Sequence, residues 1–350
     1  MITRLNLTQF RNHELLELPI SSELVAITGP NASGKTNILE SIYVSSLTRS
    51  FRSSDAKLIT HNKDFFTIDR YDDDILTHIR YSIQNGSSAK KVKYKNQYQP
   101  IKNIIGRNPT VLFEPNDLDL LIGLPAIRRK YLDQLLSQID QKYLINLQKY
   151  KKLITSKNSL LRRAKKQNIG NINELLFVLN IQIVEPAIYI IEARKKLIGD
   201  IEKLIIDYYQ VISGRRSNIK INYLPSAGSQ DQLLSLIEDN TSRDMVVGFC
   251  SIGPHREDFR VVFDEYNIED NASRGEIRSL VLAFKLAELE YIEKVLHRRP
   301  TLLLDDVLSE LDDDRQSHLL NNLSSQQTFI TTTHLPQNIK PDYQHIELPL

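Results

Sequence analysis

Cysteine is nearly absent from this chain: Cys250 is the only one in 350 residues. A single thiol forms no internal disulfide, and with no second Cys or Cys/His cluster near it there is no metal-ligand spacing, so it reads as a small buried residue. An apolar leader is lacking too, because Met1-Ile2-Thr3-Arg4 runs straight into an alternating strand pattern. No apolar run is expected to approach the length of a bilayer span. Internal repeats, low-complexity tracts and heptads long enough for an extended coiled coil are missing as well. These absences predict a soluble cytoplasmic protein with no membrane contact. What is present, 41% hydrophobic residues over 350 positions, suffices for one or two well-packed domains.

A large excess of either charge is also lacking, since the net charge is only +2, but its distribution is uneven. Between Ala126 and Asn168 stand twelve Lys and Arg against two acids, Asp133 and Asp140, which leaves the remainder at −8. Such asymmetry points to a polyanion, and the densest part, Arg162, Arg163, Lys165 and Lys166, is the candidate DNA contact. Lys91, Lys93 and Lys95 share one face of a strand, which suits either DNA contact or protection of a sheet edge.

The octet Gly29-Pro30-Asn31-Ala32-Ser33-Gly34-Lys35-Thr36 has the spacing Gly-x4-Gly-Lys-Thr. Strand-like Leu24-Val25-Ala26-Ile27 precedes it, and Ile38, Leu39, Ile42 and Tyr43 follow at helical spacing, the setting in which such a loop holds a nucleoside triphosphate. Gly29 and Gly34 let successive N–H groups turn toward a β-phosphate beside a helix N-terminus. Lys35 would reach the β/γ oxygens and the Thr36 hydroxyl would ligate Mg²⁺. Far along the chain, Thr301-Leu302-Leu303-Leu304-Asp305-Asp306 reads as a buried parallel strand delivering two carboxylates at its C-terminal edge. Asp305 is the candidate for the Mg²⁺ shell and Asp306 for polarising the attacking water.

The organisation expected is α/β. Alternation at Ile2–Phe10 and Arg80–Gln84 predicts an antiparallel layer beside the nucleotide loop, with a nucleotide-binding head over 1–125 and 239–350. Long helices over 126–238 form an inserted lobe with few strand signals, and the return of a strand at Phe259–Phe263 brings the chain back to the head. Ser226 to Gln232 is the expected mobile loop. Ser273-Arg274-Gly275-Glu276, ahead of a helical run, offers a hydroxyl and free N–H groups to an anion, or else an ordinary capping box.

The order of these motifs, with Ser309-Glu310-Leu311-Asp312 and Thr331-Thr332-Thr333-His334 after them, resembles that of an ABC-type ATPase. Within that class the chain resembles the RecF family of bacterial recombination mediators. The segments that carry this are Leu7–His13, the octet with Asn37 and Leu39–Ile42, Arg49–Arg52, Gly253–Asp258 and Leu303–Asp312.

The resemblance implies an ABC-type head of mixed sheet and antiparallel β layer plus an inserted helical lobe. It implies ATP and Mg²⁺ as cofactors and a homodimer that closes on ATP. Ser273 and Gly275 would then act in trans as the signature, Ser309 and Asp312 as the D-loop and His334 as the switch, with Arg11 and Asn12 touching the nucleotide. It further implies binding of gapped or junctional duplex and single-stranded DNA, and work with RecR and RecO to load RecA during repair, replication restart and the SOS response. Asp306, in place of the Glu usual in ABC ATPases, suits a weak, DNA-stimulated turnover. The alternatives are an SMC- or Rad50-like structural head, which would need long heptads and usually a hinge or Cys-x-x-Cys hook, and a transporter nucleotide-binding subunit, which would not need the basic insertion.

Overall fold

The computed structural model describes residues 1–166, 170–312, 315–316, 319, 326–333 and 342–349. They fall into two compact units, Met1–Asp117 with Phe284–Leu350, and Leu118–Ala283. The chain begins in the first unit with β1 (Ile2–Phe10), β2 (His13–Pro19), β3 (Leu24–Thr28), α1 (Lys35–Leu47), β4 (Phe65–Asp72), β5 (Ile75–Gln84), β6 (Ser87–Tyr94), β7 (Gln97–Gln99) and β8 (Thr110–Phe113). It continues in the second with α2 (Asp119–Ile122), α3 (Pro125–Ile139), α4 (Gln141–Lys166), α5 (Ile172–Ser213), β9 (Ile219–Leu224), α6 (Gln230–Asp239), α7 (Thr241–Val247), β10 (Asp258–Phe263), β11 (Tyr266–Asn267) and α8 (Ile268–Asn271). Helix α9 (Arg274–Leu296) leads back to β12 (Thr301–Asp305), β13 (Thr328–Thr332) and β14 (Gln344–Glu347) of the first.

The first unit has two sheets. Six antiparallel strands run in the order β2-β1-β4-β5-β6-β7, and five parallel strands in the order β14-β3-β13-β12-β8. Each of the residues of β12 and β13 is buried, which is why β12 reads as an apolar run rather than an alternating one, while β13 buries three threonines beside Phe329 and Ile330. Helix α1 packs on β1, β4 and β5 of one sheet and on β8, β12 and β13 of the other. It therefore lies between them, and every residue from Ile38 to Leu47 is buried. Ser41 and Ser45 return their hydroxyls to the helix carbonyls of Ile38 and Ile42, so small polar residues fit into that sandwich with their hydrogen bonds satisfied.

In the second unit α5 is the central helix, packed on α4, α6 and β9. A three-stranded antiparallel sheet, β11-β10-β9, belongs to this unit. The sequence reading differs here in two ways. It saw no strand at 219–224, and it returned the chain to the head at 239, whereas the return comes at Phe284. The reason is pairing: the strand at 258–263 finds its partner in β9, within the inserted unit, and takes the residues between with it. Ser226–Gln232 is also held rather than loose, with the Ser226 N–H donating to Glu257, Ala227 buried, and Ser229 capping α6.

The expectation that no apolar run approaches a membrane span is corrected by α5. This 42-residue helix contains an 18-residue window of mean hydropathy 1.7, enough by length and composition to cross a bilayer. Its Ile183, Val184, Ala187, Ile190 and Ile191 are buried within the unit, while Leu175, Phe177, Val178 and Ile181 are exposed, so the helix packs along one side only.

Candidate nucleotide-binding site

The loop between β3 and α1 takes the shape that its glycines allow. Gly29 has φ +150° and Gly34 φ +101°, and Ala32 joins them in the left-handed region at +69°. A Cβ at Gly34 would stand 2.6 Å from His13 Nε2 and 2.7 Å from Asn12 Oδ1, so a side chain there would displace both of these groups besides being disfavoured by φ. The Lys35 ammonium donates to the carbonyls of Gly29 and Pro30, at 2.6 and 2.9 Å, which holds it over the mouth of the loop.

Across the parallel sheet, β12 delivers Asp305. Thr36 and Thr331 both donate their hydroxyls to Asp305 Oδ1, at 2.7 and 2.8 Å, so residues from two other stretches converge on one carboxylate. Asp306 follows in the left-handed region, with φ +54°, its N–H held by Thr331 and its side chain exposed at the sheet's C-terminal edge. Among the described residues no group of three or more His, Cys, Asp or Glu could hold a metal by itself. A hydroxyl and one carboxylate are hard oxygen donors, and they fit Mg²⁺, which keeps waters and takes phosphate oxygens for the rest of its shell.

The turn between β1 and β2 braces the loop. Asn12 donates to the Ser33 carbonyl at 3.3 Å and accepts from Asn37 at 2.6 Å, while His13 Nε2 lies 3.3 Å from the Gly34 carbonyl. Burial pulls the His13 pKa down, against the opposing pull of that carbonyl, which favours a neutral ring. Arg11 is held by α1 and by the segment that follows it. Its guanidinium makes two 2.8 Å bonds to Glu40, a fully buried carboxylate in α1, and another bond to Ser53. Glu40 also accepts from Arg52 at 2.8 Å and Ser50 at 2.5 Å. Burial alone would raise its pKa, but the hydrogen bonds from Arg11, Arg52 and Ser50 outweigh it and hold the carboxyl below its ordinary value. The sequence pattern gives Glu40 no role, and the available signal was that it is the one acid in α1.

Elsewhere in the first unit Asp312 accepts from the Arg315 N–H and pairs with the Arg315 guanidinium. Ser309 lies in a short helical turn, Val307–Glu310. His334 lies outside the described residues. In the second unit Ser273 and Glu276 form a reciprocal capping box at the start of α9, with the Ser273 N–H donating to Glu276 at 2.8 Å and the Glu276 N–H to the Ser273 hydroxyl at 3.3 Å. Ser273 remains exposed and Gly275 is half-buried.

Gly253–Asp258 is a clasp within the second unit. Pro254 accepts from Arg194 at 2.7 Å, His255 meets Tyr150 at 2.5 Å, Glu257 accepts from Ser226, and Asp258 makes a two-point pair with Arg128 at 2.7 and 2.9 Å. Burial holds the His255 pKa down to about 4. The basic stretch is accordingly less free than its count suggests. Arg128 and Lys157 are buried, and Lys149 and Lys151 pair with Glu185 and Asp133. Arg162, Arg163, Lys165 and Lys166 do stand exposed at the end of α4.

Comparison with known proteins agrees with this geometry. Residues 1–344 match the family described as RecF/RecN/SMC N terminal domain. The chain is 35% identical over 354 residues to the DNA replication and repair protein RecF of Agathobacter rectalis, covering 98% of this chain and 95% of that one. It is 35% identical over 348 residues to the protein of the same description from Limosilactobacillus reuteri, covering 96% and 92%. A solved structure described as the recombination mediator protein RecF-ATPrS in the RecFOR pathway superposes with a TM-score of 0.89 at 30% identity, covering 99% of this chain and 96% of that one. The head domain of an Smc protein from Pyrococcus furiosus matches at a TM-score of 0.50 and 16% identity, covering 95% and 89%, a likeness of fold alone. The fold is that of an ABC-type ATPase head with an added helical unit. Matched over residues 1–344 by the family model and along almost its whole length by relatives at 35% identity, the chain belongs to the RecF family.

Proposed function

We propose that this chain is an ATP-dependent, DNA-binding recombination mediator acting in the cytoplasm. The observation that carries the nucleotide half is the 2.7 Å bond from Thr36 to Asp305, which joins the phosphate loop to the acidic strand over a gap of 269 residues. Gly29–Thr36 cradles the triphosphate with its N–H groups, and Lys35 turns from the loop carbonyls to the β/γ oxygens. Thr36 and Asp305 hold Mg²⁺, which neutralises charge on the phosphates. Asp306 orients the attacking water from the exposed strand edge, and turnover is weak and DNA-stimulated.

Two heads close on ATP, with Ser273 and Gly275 of one reaching the γ-phosphate of the other, Ser309 and Asp312 at the seam and His334 as the switch. In this reading the Ser273 hydroxyl, which accepts the cap bond from the Glu276 N–H, donates its own O–H to a phosphate oxygen. The DNA half is supported by the descriptions of the relatives and by the exposed cations at the end of α4. The chain recognises gapped or junctional DNA, duplex beside single strand, and works with RecR and RecO to load RecA in repair, replication restart and the SOS response. Sedimentation with and without ATP and Mg²⁺, alongside ATPase rates with and without gapped duplex, tests it. The expected result is an ATP-dependent dimer with a DNA-raised rate; a monomer at saturating ATP that ignores DNA would overturn it.

A further inference from the structure

Around Gly248 the second unit presents apolar and cationic side chains together. Helix α7 ends at Val247, and Gly248, at φ +85°, closes it with its N–H on the Asp244 carbonyl before the chain turns into Phe249 and the buried Cys250. Val246 is 70% exposed, and Val247 and Phe249 are 37% and 40% exposed. The end of α4 borders the same turn: a Cβ at Gly248 would stand 3.6 Å from Arg162 Cγ and 3.8 Å from Lys165 Cδ. On the Phe249 side the Arg256 guanidinium lies over the ring, 4.7 Å from its centroid. All three cations are exposed. Arg162 and Lys165 are three residues apart and share a helix face.

A surface for phosphate alone needs the cations but not the valines and phenylalanine, whose exposure to water is unfavourable. Base stacking suits them poorly, because one face of Phe249 is already covered by Arg256 and the valines offer no flat surface. Carboxylates flanking an aliphatic or aromatic side chain would use every part of the patch, the cations by charge complementarity and the apolar groups by burial.

We infer that this patch docks an acidic peptide segment of a partner protein, one that carries an apolar side chain between its carboxylates. The site stands apart from the nucleotide loop and adds to the proposed DNA contact, with which it shares Arg162 and Lys165.

Fluorescence anisotropy on the full chain tests this, using a fluorescein-labelled peptide with Asp and Glu around a central Leu-Phe pair. A second peptide has that pair replaced by Ser-Ser, and a labelled duplex serves as the third probe. The expected result is saturable binding of the Leu-Phe peptide and weak binding of the Ser-Ser peptide. Val246→Ser with Phe249→Ser should weaken the Leu-Phe peptide about tenfold or more, with duplex binding unchanged. Val246→Asp, at the most exposed position and repulsive to carboxylates, should give the same loss even where the double variant melts early. Absence of binding by the wild type, equal binding of the two peptides, or variants that keep the peptide and lose the duplex would each overturn the inference. The last of these outcomes would make the patch a nucleic-acid surface.

Discussion

Glu40→Gln removes one negative charge from a position shielded from water while nearly conserving volume. The carboxylate accepts two bonds from Arg11, one from Arg52 and one from Ser50. A carboxamide offers a single oxygen, and its NH₂ group would face groups that also donate. Removing one partner of a buried ion pair costs about 3–5 kcal/mol. Arg11 and Arg52 are 21% and 37% exposed and recover part of their hydration, so about 2–3 kcal/mol is expected. A unit of this size shifts by about 2–4 °C for each kcal/mol, so thermal melting followed by circular dichroism should fall by about 5–10 °C. The wild-type contribution has a defined pH dependence. A carboxyl whose folded pKa is depressed stabilises above its unfolded value and loses that contribution as pH falls through the folded one, and Glu40→Gln should lack this acid-side loss. Calorimetric ATP titration is the second readout. Arg11 leads directly into Asn12, which holds Ser33, so loosening Arg11 should weaken ATP binding. A variant melting within about 1 °C of wild type, with unchanged ATP affinity, would refute the claim that Glu40 anchors the turn that braces the loop.

Lys35→Ala should lose ATP affinity by calorimetry, whereas Asp306→Asn should bind ATP and hydrolyse it more slowly; equal affinity of wild type and Lys35→Ala would sink the assignment. Ser273→Arg should bind nucleotide as a monomer yet fail to dimerise with ATP and Mg²⁺ in sedimentation, and a normal ATP dimer would exclude a signature acting in trans. Replacing Arg162, Arg163, Lys165 and Lys166 with Ser should flatten the slope of log K against log salt on gapped duplex by about 2 to 4, and an unchanged slope would move the DNA surface to Lys91, Lys93 and Lys95. Glu288, whose pKa burial raises to about 7 against the pull of Lys285, binds a proton more readily folded than unfolded. Its contribution should therefore fall as pH rises from about 4.5 to 7, and Glu288→Gln should flatten this part of the stability profile in urea titrations; an identical profile would show that Glu288 does not titrate there.

The nucleotide loop and the acidic strand were legible because each is a local pattern: glycines at required turns, then helical spacing, and an apolar run ending in carboxylates. Their meeting at Asp305 was legible only as chemistry, from the need of a triphosphate for a cation. The unit boundary was not legible, because whether 258–263 pairs with the head or with 219–224 depends on a partner that neither strand's own pattern names. Arg11 shows the same limit. A motif places it beside the loop, but its guanidinium is taken by Glu40, twenty-nine residues on. Counting cations overstated the free charge for a related reason, since the partners of Arg128 and Lys149 lie in other elements.

The Lys285 ammonium donates to the Leu112 carbonyl at 2.7 Å and pairs with Asp117 at 2.9 Å, while burial, opposed by nearby carboxylates led by Asp117, leaves its pKa raised. Asp117 is the last residue before the chain leaves the first unit and Phe284 the first after its return. One side chain thus ties the severed ends of the first unit to each other. Everything from Leu118 to Ala283 is, in topological terms, a graft whose two attachment points are already joined to each other, the arrangement in which insertions are best tolerated. A protein engineer could therefore excise the graft, span Asp117 to Phe284 with a few glycine and serine residues, and obtain a minimal nucleotide-binding head that, lacking Ser273 and Gly275, should bind ATP without closing into a dimer.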